Sequence, residues 1–188
     1  MVLSEYGHDD VAYRLIEQQE YPSWLYPVLQ GATTMWERWN SYTIKNGFGP
    51  VSMNSFNHYA YGAVQDWLIA YSAGIQRDEA MPGYKHIHLQ PRVGGHLTFV
   101  EARFNSVYGE IFSSWKSDNA DVTNDAANYA YTYSATVPAN TTATLTLPVG
   151  LKKVRVLEGK KGILKKVETN GSCTIELSSG SYKFYISK

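Results

Sequence analysis

A single cysteine, Cys173, in a chain of 188 residues excludes an internal disulfide. Its neighbours supply neither a base for a thiolate nucleophile nor a zinc ligand set, so a buried, inert thiol is the expected role. An excess of one charge is also lacking: 17 Lys and Arg balance 17 Asp and Glu. A phosphate backbone needs a dense basic face, so nucleic acid is excluded as a partner. No apolar run approaches the roughly 18 residues of a membrane-crossing helix, and no membrane partner is expected. The opening residues, Met1 to Gly7, lack the basic and apolar regions of a secretory signal and do not read as a natural beginning. The chain has no P-loop, dinucleotide fingerprint, HExxH motif or internal repeat, so no cofactor and no metal site is expected. The stretch 118–125 is rich in carboxylates and amides but lacks the glycine and distal glutamate of a calcium loop, so it reads as a solvated loop.

What is present is unevenly distributed. Residues 1–80 hold four Lys/Arg against nine Asp/Glu, and residues 81–188 hold thirteen against eight, so the two parts are near −5 and +5. The paired lysines Lys152-Lys153, Lys160-Lys161 and Lys165-Lys166 read as solvated strand edges. Aromatic residues make up 14%, with 15 tyrosines and 5 tryptophans. Such enrichment suits carbohydrate recognition and plain β-sheet alike.

The two parts also differ in period. Asp9 or Asp10 can cap a helix carrying Val11, Ala12, Leu15 and Ile16 on one face, and Tyr21-Pro22 stops it. A short helix runs from Trp24 to Leu29, ended by Gly31. A longer one begins after His58 with Asn57 as its cap, turns Tyr61, Val64, Trp67, Leu68 and Tyr71 inward, and closes on a left-handed Gly74. Its wide apolar arc asks for neighbours on more than one side, which implies a larger helical assembly. From about His86 the period becomes two, as in 97–104, 129–137 and 143–147, separated by turn-forming segments. About six to eight short antiparallel strands at this spacing suggest a β-sandwich. The fold class is therefore α+β.

In the helical part, Gly31-Ala32-Thr33-Thr34-Met35-Trp36-Glu37-Arg38-Trp39 sets one carboxylate between two indoles. A carboxylate beside indole rings is costly to desolvate unless its charge is used, and sugar pockets join flat apolar walls to a carboxyl. The plain alternative is a packed pair of tryptophans with Glu37 in water between them.

Three blocks together resemble the C-terminal part of bacterial α-L-rhamnosidases of glycoside hydrolase family 78. They are Tyr21-Pro22-Ser23-Trp24, the stretch 31–39, and Ser55-Phe56-Asn57-His58-Tyr59-Ala60-Tyr61-Gly62. Pro91-Arg92 and the β-rich tail are similar to that family's C-terminal sandwich. The resemblance implies the last helices of an (α/α)6 six-hairpin barrel over residues 1–80, followed by an antiparallel β-sandwich over 81–188. It implies cleavage of terminal α-L-rhamnose from glycosides with inversion. Glu37 would be the general base that activates water, with His58 beside it in the sugar pocket and Trp36 as an aromatic wall. His58 has a plainer alternative, capping the helix that follows it.

Inversion needs a carboxylic acid opposite the base, about 6.5–9.5 Å away. The family's acid lies in an earlier barrel segment, and the upstream carboxylates here do not correspond to it. The chain therefore reads as a C-terminal fragment, inactive alone, whose partner is a rhamnose-containing glycoside or oligosaccharide. Its exposed helical faces invite homo-oligomers. The competing function is a non-catalytic carbohydrate-binding sandwich module, which would need exposed aromatics on one sheet face. Trp115 is the tryptophan available there, whereas Tyr129, Tyr131 and Tyr133 share a strand face expected to pack inward.

Overall fold

A computed structural model describes residues 1–117, 131–150, 154–158, 163–168 and 171–187. The stretch 118–125, Tyr129 and the lysine pairs at 152–153 and 160–161 lie outside the described residues, and the side chains of Lys165-Lys166 are likewise outside the description. The chain divides into two compact units, Met1–Trp67 and Leu68–Lys188.

The first unit is built of short helices and aromatic loops. In order it contains α1 (Val2–Glu5), α2 (Asp9–Glu17), α3 (Leu25–Leu29), the two-residue strands β1 (Tyr42–Thr43) and β2 (Gly47–Phe48), 3-10 turns at Val51–Met53 and Ala60–Ala63, and α4 (Val64–Trp67). The expected aspartate cap of α2 is not made: His8 is the N-cap residue, and Asp9 and Asp10 occupy the first turn. There the partial positive charge of the helix start favours both carboxylates.

The buried face of α2 is also shifted from the expected one. Ala12 and Tyr13 are buried, while Leu15 is exposed. The reason is the size of Tyr13, whose ring meets Trp67 edge to face at 5.1 Å. The Trp67 indole N–H in turn donates to the buried Ser4 hydroxyl at 2.9 Å, which ties α1 to α4.

The long helix expected after His58 is formed in three geometries. It enters as a 3-10 turn, with Gly62 N–H donating to Tyr59 C=O at 2.8 Å, and becomes α-helical over Val64–Trp67. The stretch Leu68–Ser72 that follows is a π-turn, in which Ala73 N–H reaches back to Leu68 C=O at 2.9 Å. Wide turns of this kind insert one extra residue and re-aim the side chains that follow. Gly74 then takes the left-handed conformation expected of it, with φ of 81°. No side chain fits there, because a Cβ would lie 2.2 Å from the Pro91 nitrogen.

The second unit is a two-sheet sandwich. Its strands are β3 (Ile75–Arg77), β4 (His86–Leu89), β5 (Phe99–Ser106), β6 (Gly109–Ser117), β7 (Tyr131–Val137), β8 (Thr142–Gly150), β9 (Val154–Glu158), β10 (Ile163–Glu168), β11 (Gly171–Leu177) and β12 (Gly180–Ser187). One sheet has the order β10-β9-β12-β7-β6-β5 and the other β11-β8-β4-β3. Neighbours pair antiparallel except β4 and β8, which run parallel with His86 opposite Thr142 and Leu89 opposite Leu145. The sandwich is antiparallel as expected, apart from this one parallel pair among the described residues. A parallel neighbour requires a crossover, and here the long chain between β4 and β8 passes through the opposite sheet.

Alternation sets the core. Ile75, Ile87, Leu89, Leu145, Leu147 and Cys173 from one sheet meet Ile111, Trp115, Tyr133, Phe184 and Ile186 from the other. Cys173 is buried, as its surroundings in the sequence suggest. Among the described residues, the polar atoms of Trp115, Ser113 and Tyr133 inside this core are paired, as buried polar groups tend to be. Trp115 Nε1–H donates to Ser72 C=O at 2.9 Å, and Ser113 Oγ–H donates to Ala73 C=O at 2.6 Å. Ser113 Oγ also lies 2.9 Å from the Tyr133 hydroxyl. Burial pushes the Tyr133 phenol well above its ordinary value, against a smaller opposing effect of the Ser113 hydrogen bond. Trp115 therefore offers no exposed face to a sugar, and Tyr131 and Tyr133 pack inward as expected.

Candidate functional site

Glu37 stands on an irregular segment that runs beside residues 55–58. Glu37 N–H donates to Ser55 C=O at 2.9 Å, and His58 N–H donates to Met35 C=O at 2.9 Å. The Thr34 hydroxyl adds a bond to Phe56 C=O at 2.5 Å. Small and hydroxyl-bearing residues before Met35 permit this close approach of two backbones without a regular strand. The carboxylate closes the pairing: Ser55 N–H donates to Glu37 Oε2 at 2.7 Å. Hydrogen bonds to an ionised acceptor are shorter and stronger than neutral ones, so this contact fixes the carboxylate's orientation. Glu37 is half-buried and, among the described residues, takes part in no ion pair. It is neither desolvated without a partner nor pointing idly into water.

The segment's far side is pinned by Ser41, which is buried. Its hydroxyl accepts from Arg38 N–H at 3.2 Å, and its carbonyl accepts from Gly49 N–H at 2.8 Å and Asn54 Nδ2–H at 3.0 Å. Asn54 and Ser55 are adjacent in sequence, so the loop that holds the Glu37 carboxylate is itself held.

The two tryptophans part company. Trp36 is 5% exposed and packs edge to face on Phe56 at 5.4 Å and Tyr42 at 6.4 Å. Trp39 is half-buried, stacks on Tyr61 at 3.7 Å, and meets Trp24 edge to face at 5.2 Å. Each indole thus belongs to its own aromatic cluster, with Glu37 between them in sequence. Trp36 also lines an open hollow of about 350 Å³ with Gln30, Thr33, Tyr42, Phe48 and Phe56, and neither Glu37 nor His58 is among that hollow's lining residues.

His58 is half-buried, and its ring lies parallel to Tyr59 with centroids 5.7 Å apart. Its Nδ1 accepts from Ala60 N–H at 3.3 Å at the entry to the 3-10 turn. This is the capping role read as the plainer alternative for His58, made toward Ala60 from one residue before the N-cap position at Tyr59. A ring that accepts at Nδ1 carries its proton on Nε2 and so presents a donor there. The backbone bond from His58 to Met35 sets that donor's segment alongside Glu37.

Ser55, the anchor of the carboxylate, has no signature in the sequence, because the contact spans 18 residues. The outward histidines of β4 were also missed. His86 and His88 alternate with the buried Ile87 and Leu89, a spacing that puts both rings on one strand face.

Comparison with known proteins accounts for both units. Residues 1–71 match the model of the bacterial alpha-L-rhamnosidase 6 hairpin glycosidase domain, and residues 74–162 match that of the bacterial alpha-L-rhamnosidase C-terminal domain. An α-L-rhamnosidase of Streptomyces avermitilis is 40% identical over 185 residues, which are 98% of this chain and 17% of that protein. One from Formosa agariphila is 44% identical over 147 residues, 78% of this chain and 15% of that protein. Among solved structures, the Streptomyces avermitilis enzyme complexed with L-rhamnose superposes with a TM-score of 0.79 at 38% identity over 98% of this chain and 16% of its own. The α-L-rhamnosidase from Dictyoglumus thermophilum gives 0.80 at 34% identity over all of this chain and 20% of its own. The chain therefore spans a fifth or less of the length of these relatives. It belongs to the bacterial α-L-rhamnosidase family.

Proposed function

We propose that this chain carries the general base of an inverting α-L-rhamnosidase, and that the base is Glu37. The observation that carries the reading is the carboxylate held at Oε2 by Ser55 N–H at 2.7 Å, which leaves its other oxygen available to a water. In the reaction, Glu37 takes a proton from that water as the water oxygen attacks the anomeric carbon of a terminal α-L-rhamnose. The glycosidic bond breaks on the opposite face, and the leaving oxygen takes a proton from a carboxylic acid about 6.5–9.5 Å from the base. That acid is proposed to lie in the part of the enzyme beyond this chain, within the remainder of an (α/α)6 barrel to which residues 1–80 contribute the last helices. The accompanying β-sandwich, expected over 81–188, takes in β3 at Ile75–Arg77 as well.

His58, with its Nε2–H donor, is proposed to bond a rhamnose hydroxyl or the base. Trp36 is proposed as an aromatic pocket wall, and it lines the hollow with Tyr42, Phe48 and Phe56. The substrate class is a rhamnose-containing glycoside or oligosaccharide, in keeping with the relative crystallised with L-rhamnose.

Stereochemistry tests the proposal. In a chimera where this chain replaces the corresponding 185 residues of the Streptomyces avermitilis relative, the sugar first released from an α-rhamnoside should be the β-anomer by NMR. Release of the α-anomer would make Glu37 a nucleophile or a bystander.

A further inference from the structure

We propose that Asp78, His86 and His88 form a binding site for one divalent transition-metal ion, zinc foremost. The site lies on the outward face of the four-stranded sheet, and strand period creates it. Ile87 and Leu89 enter the core, so His86 and His88 must project from the other face. β3 runs antiparallel to β4 with Arg77 opposite Ile87, so the next residue, Asp78, arrives beside His86. One donor atom from each of the three side chains falls within 4.8 Å of the others.

The separations suit an ion better than direct contact. His88 Nε2 lies 3.7 Å from Asp78 Oδ2, too long for a hydrogen bond. Two ligands bound tetrahedrally at the usual zinc distances of about 2.0–2.2 Å stand about 3.4 Å apart. Small side-chain rotations close the remaining gaps.

The donors are also pre-oriented. Asp78 Oδ1 accepts from Ala80 N–H at 2.8 Å, which aims its other oxygen. His86 has a threonine hydroxyl at each ring nitrogen, Thr142 at 2.7 Å from Nδ1 and Thr144 at 2.9 Å from Nε2. Whichever nitrogen takes the metal, the other keeps a partner that fixes the ring, as in most histidine-ligated sites. The Thr144 hydroxyl donates in turn to the Glu176 carboxylate at 2.8 Å, adding a negative charge behind the histidine.

Two imidazoles and one carboxylate favour zinc, copper or nickel over magnesium or calcium. The His88 side chain is 43% exposed and that of Asp78 20%, so an ion enters from solvent and keeps a water as its fourth ligand. Bound there, it clips the end of β3 to the start of β4 across the 78–85 connection.

The test is zinc titration by calorimetry on the full chain without an affinity tag, with cobalt absorption to report coordination geometry. One ion should bind saturably and raise the melting temperature. His88→Ala and Asp78→Asn should each weaken binding by more than the roughly 10–100-fold that loss of an orienting partner costs. Both changes are at the surface, and circular dichroism checks that the fold is kept. Absence of saturable binding, or binding unchanged in both variants, would overturn the proposal. Neither result depends on Glu37 or on hydrolysis.

Discussion

Replacing Gly74 by alanine should be among the most damaging single-methyl additions in the chain. At φ of 81° an alanine pays for the left-handed conformation, about 1–2 kcal/mol. Its methyl would also stand 2.2 Å from the Pro91 nitrogen and 2.3 Å from the Gln90 carbonyl carbon, both backbone atoms. Those atoms are not free to retreat: Gln90 N–H donates to Gly74 C=O and Arg92 N–H to Tyr71 C=O, both at 2.8 Å. Forcing such a contact costs a further ~1–3 kcal/mol. The sum is about 2–5 kcal/mol, a fall of several degrees or more in melting temperature for a chain of this size. Gly83 is the internal control, since its φ is 75° but nothing lies within 4 Å of a Cβ there. Gly83→Ala should therefore lose only the conformational part, about 1–2 kcal/mol. Urea unfolding followed by circular dichroism measures both. Variants equal within about 0.5 kcal/mol would refute the steric reasoning.

Tyr133 makes the fold alkali-sensitive. Its phenol ionises near 10.0 when unfolded and well above that when buried, so stability is intact below pH 10 and falls as pH rises beyond it. Tyr133→Phe should flatten that loss in unfolding curves taken across the alkaline range, while lowering stability at neutral pH by about 1 kcal/mol through the lost Ser113 bond; an unchanged alkaline slope would contradict the assignment. The chain alone should give no turnover of an aryl α-L-rhamnoside, even though such a leaving group needs little protonation; activity abolished by Glu37→Gln would show that the base needs no further barrel. Self-association is expected through exposed apolar residues of the first unit such as Val2, Tyr6, Val51 and Tyr59, and light scattering showing a monomer at all concentrations would count against it.

Local signals were legible where local physics decides the outcome. Alternation placed Tyr131, Tyr133, Leu145 and Leu147 inward, because a strand has two faces and only one meets the other sheet. Gly74 was readable because the left-handed turn excludes other side chains. Both Asn57 and His58 were readable as caps of the turn that follows, and the contact falls to His58, since sequence alone does not say which polar side chain lies nearer the open N–H group. Division of that helix into 3-10, α and π turns was also hidden, because the π-turn is fixed by Ser72 and Ala73 carbonyls engaging Trp115 and Ser113 forty residues on. At the candidate site, Glu37 stands out by its flanking indoles, whereas His58 is singled out only by the resemblance of its block to the family. Ser55 does not stand out, since a backbone N–H donor leaves no mark on residue type. The Asp78–His86–His88 cluster was not read from the sequence, because its carboxylate arrives beside the histidines only through strand pairing.

Glu37 is proposed to activate the attacking water. The most direct measurement is kcat of Glu37→Ala against the unmodified chimera, with this chain in place of the corresponding segment of the Streptomyces avermitilis relative. A positioned general base contributes about 10²–10⁴-fold, so kcat should fall by that factor with KM much less affected, because the carboxylate's partner is water. A kcat within about threefold of the unmodified enzyme would contradict the account and leave Glu37 as a structural clasp on Ser55.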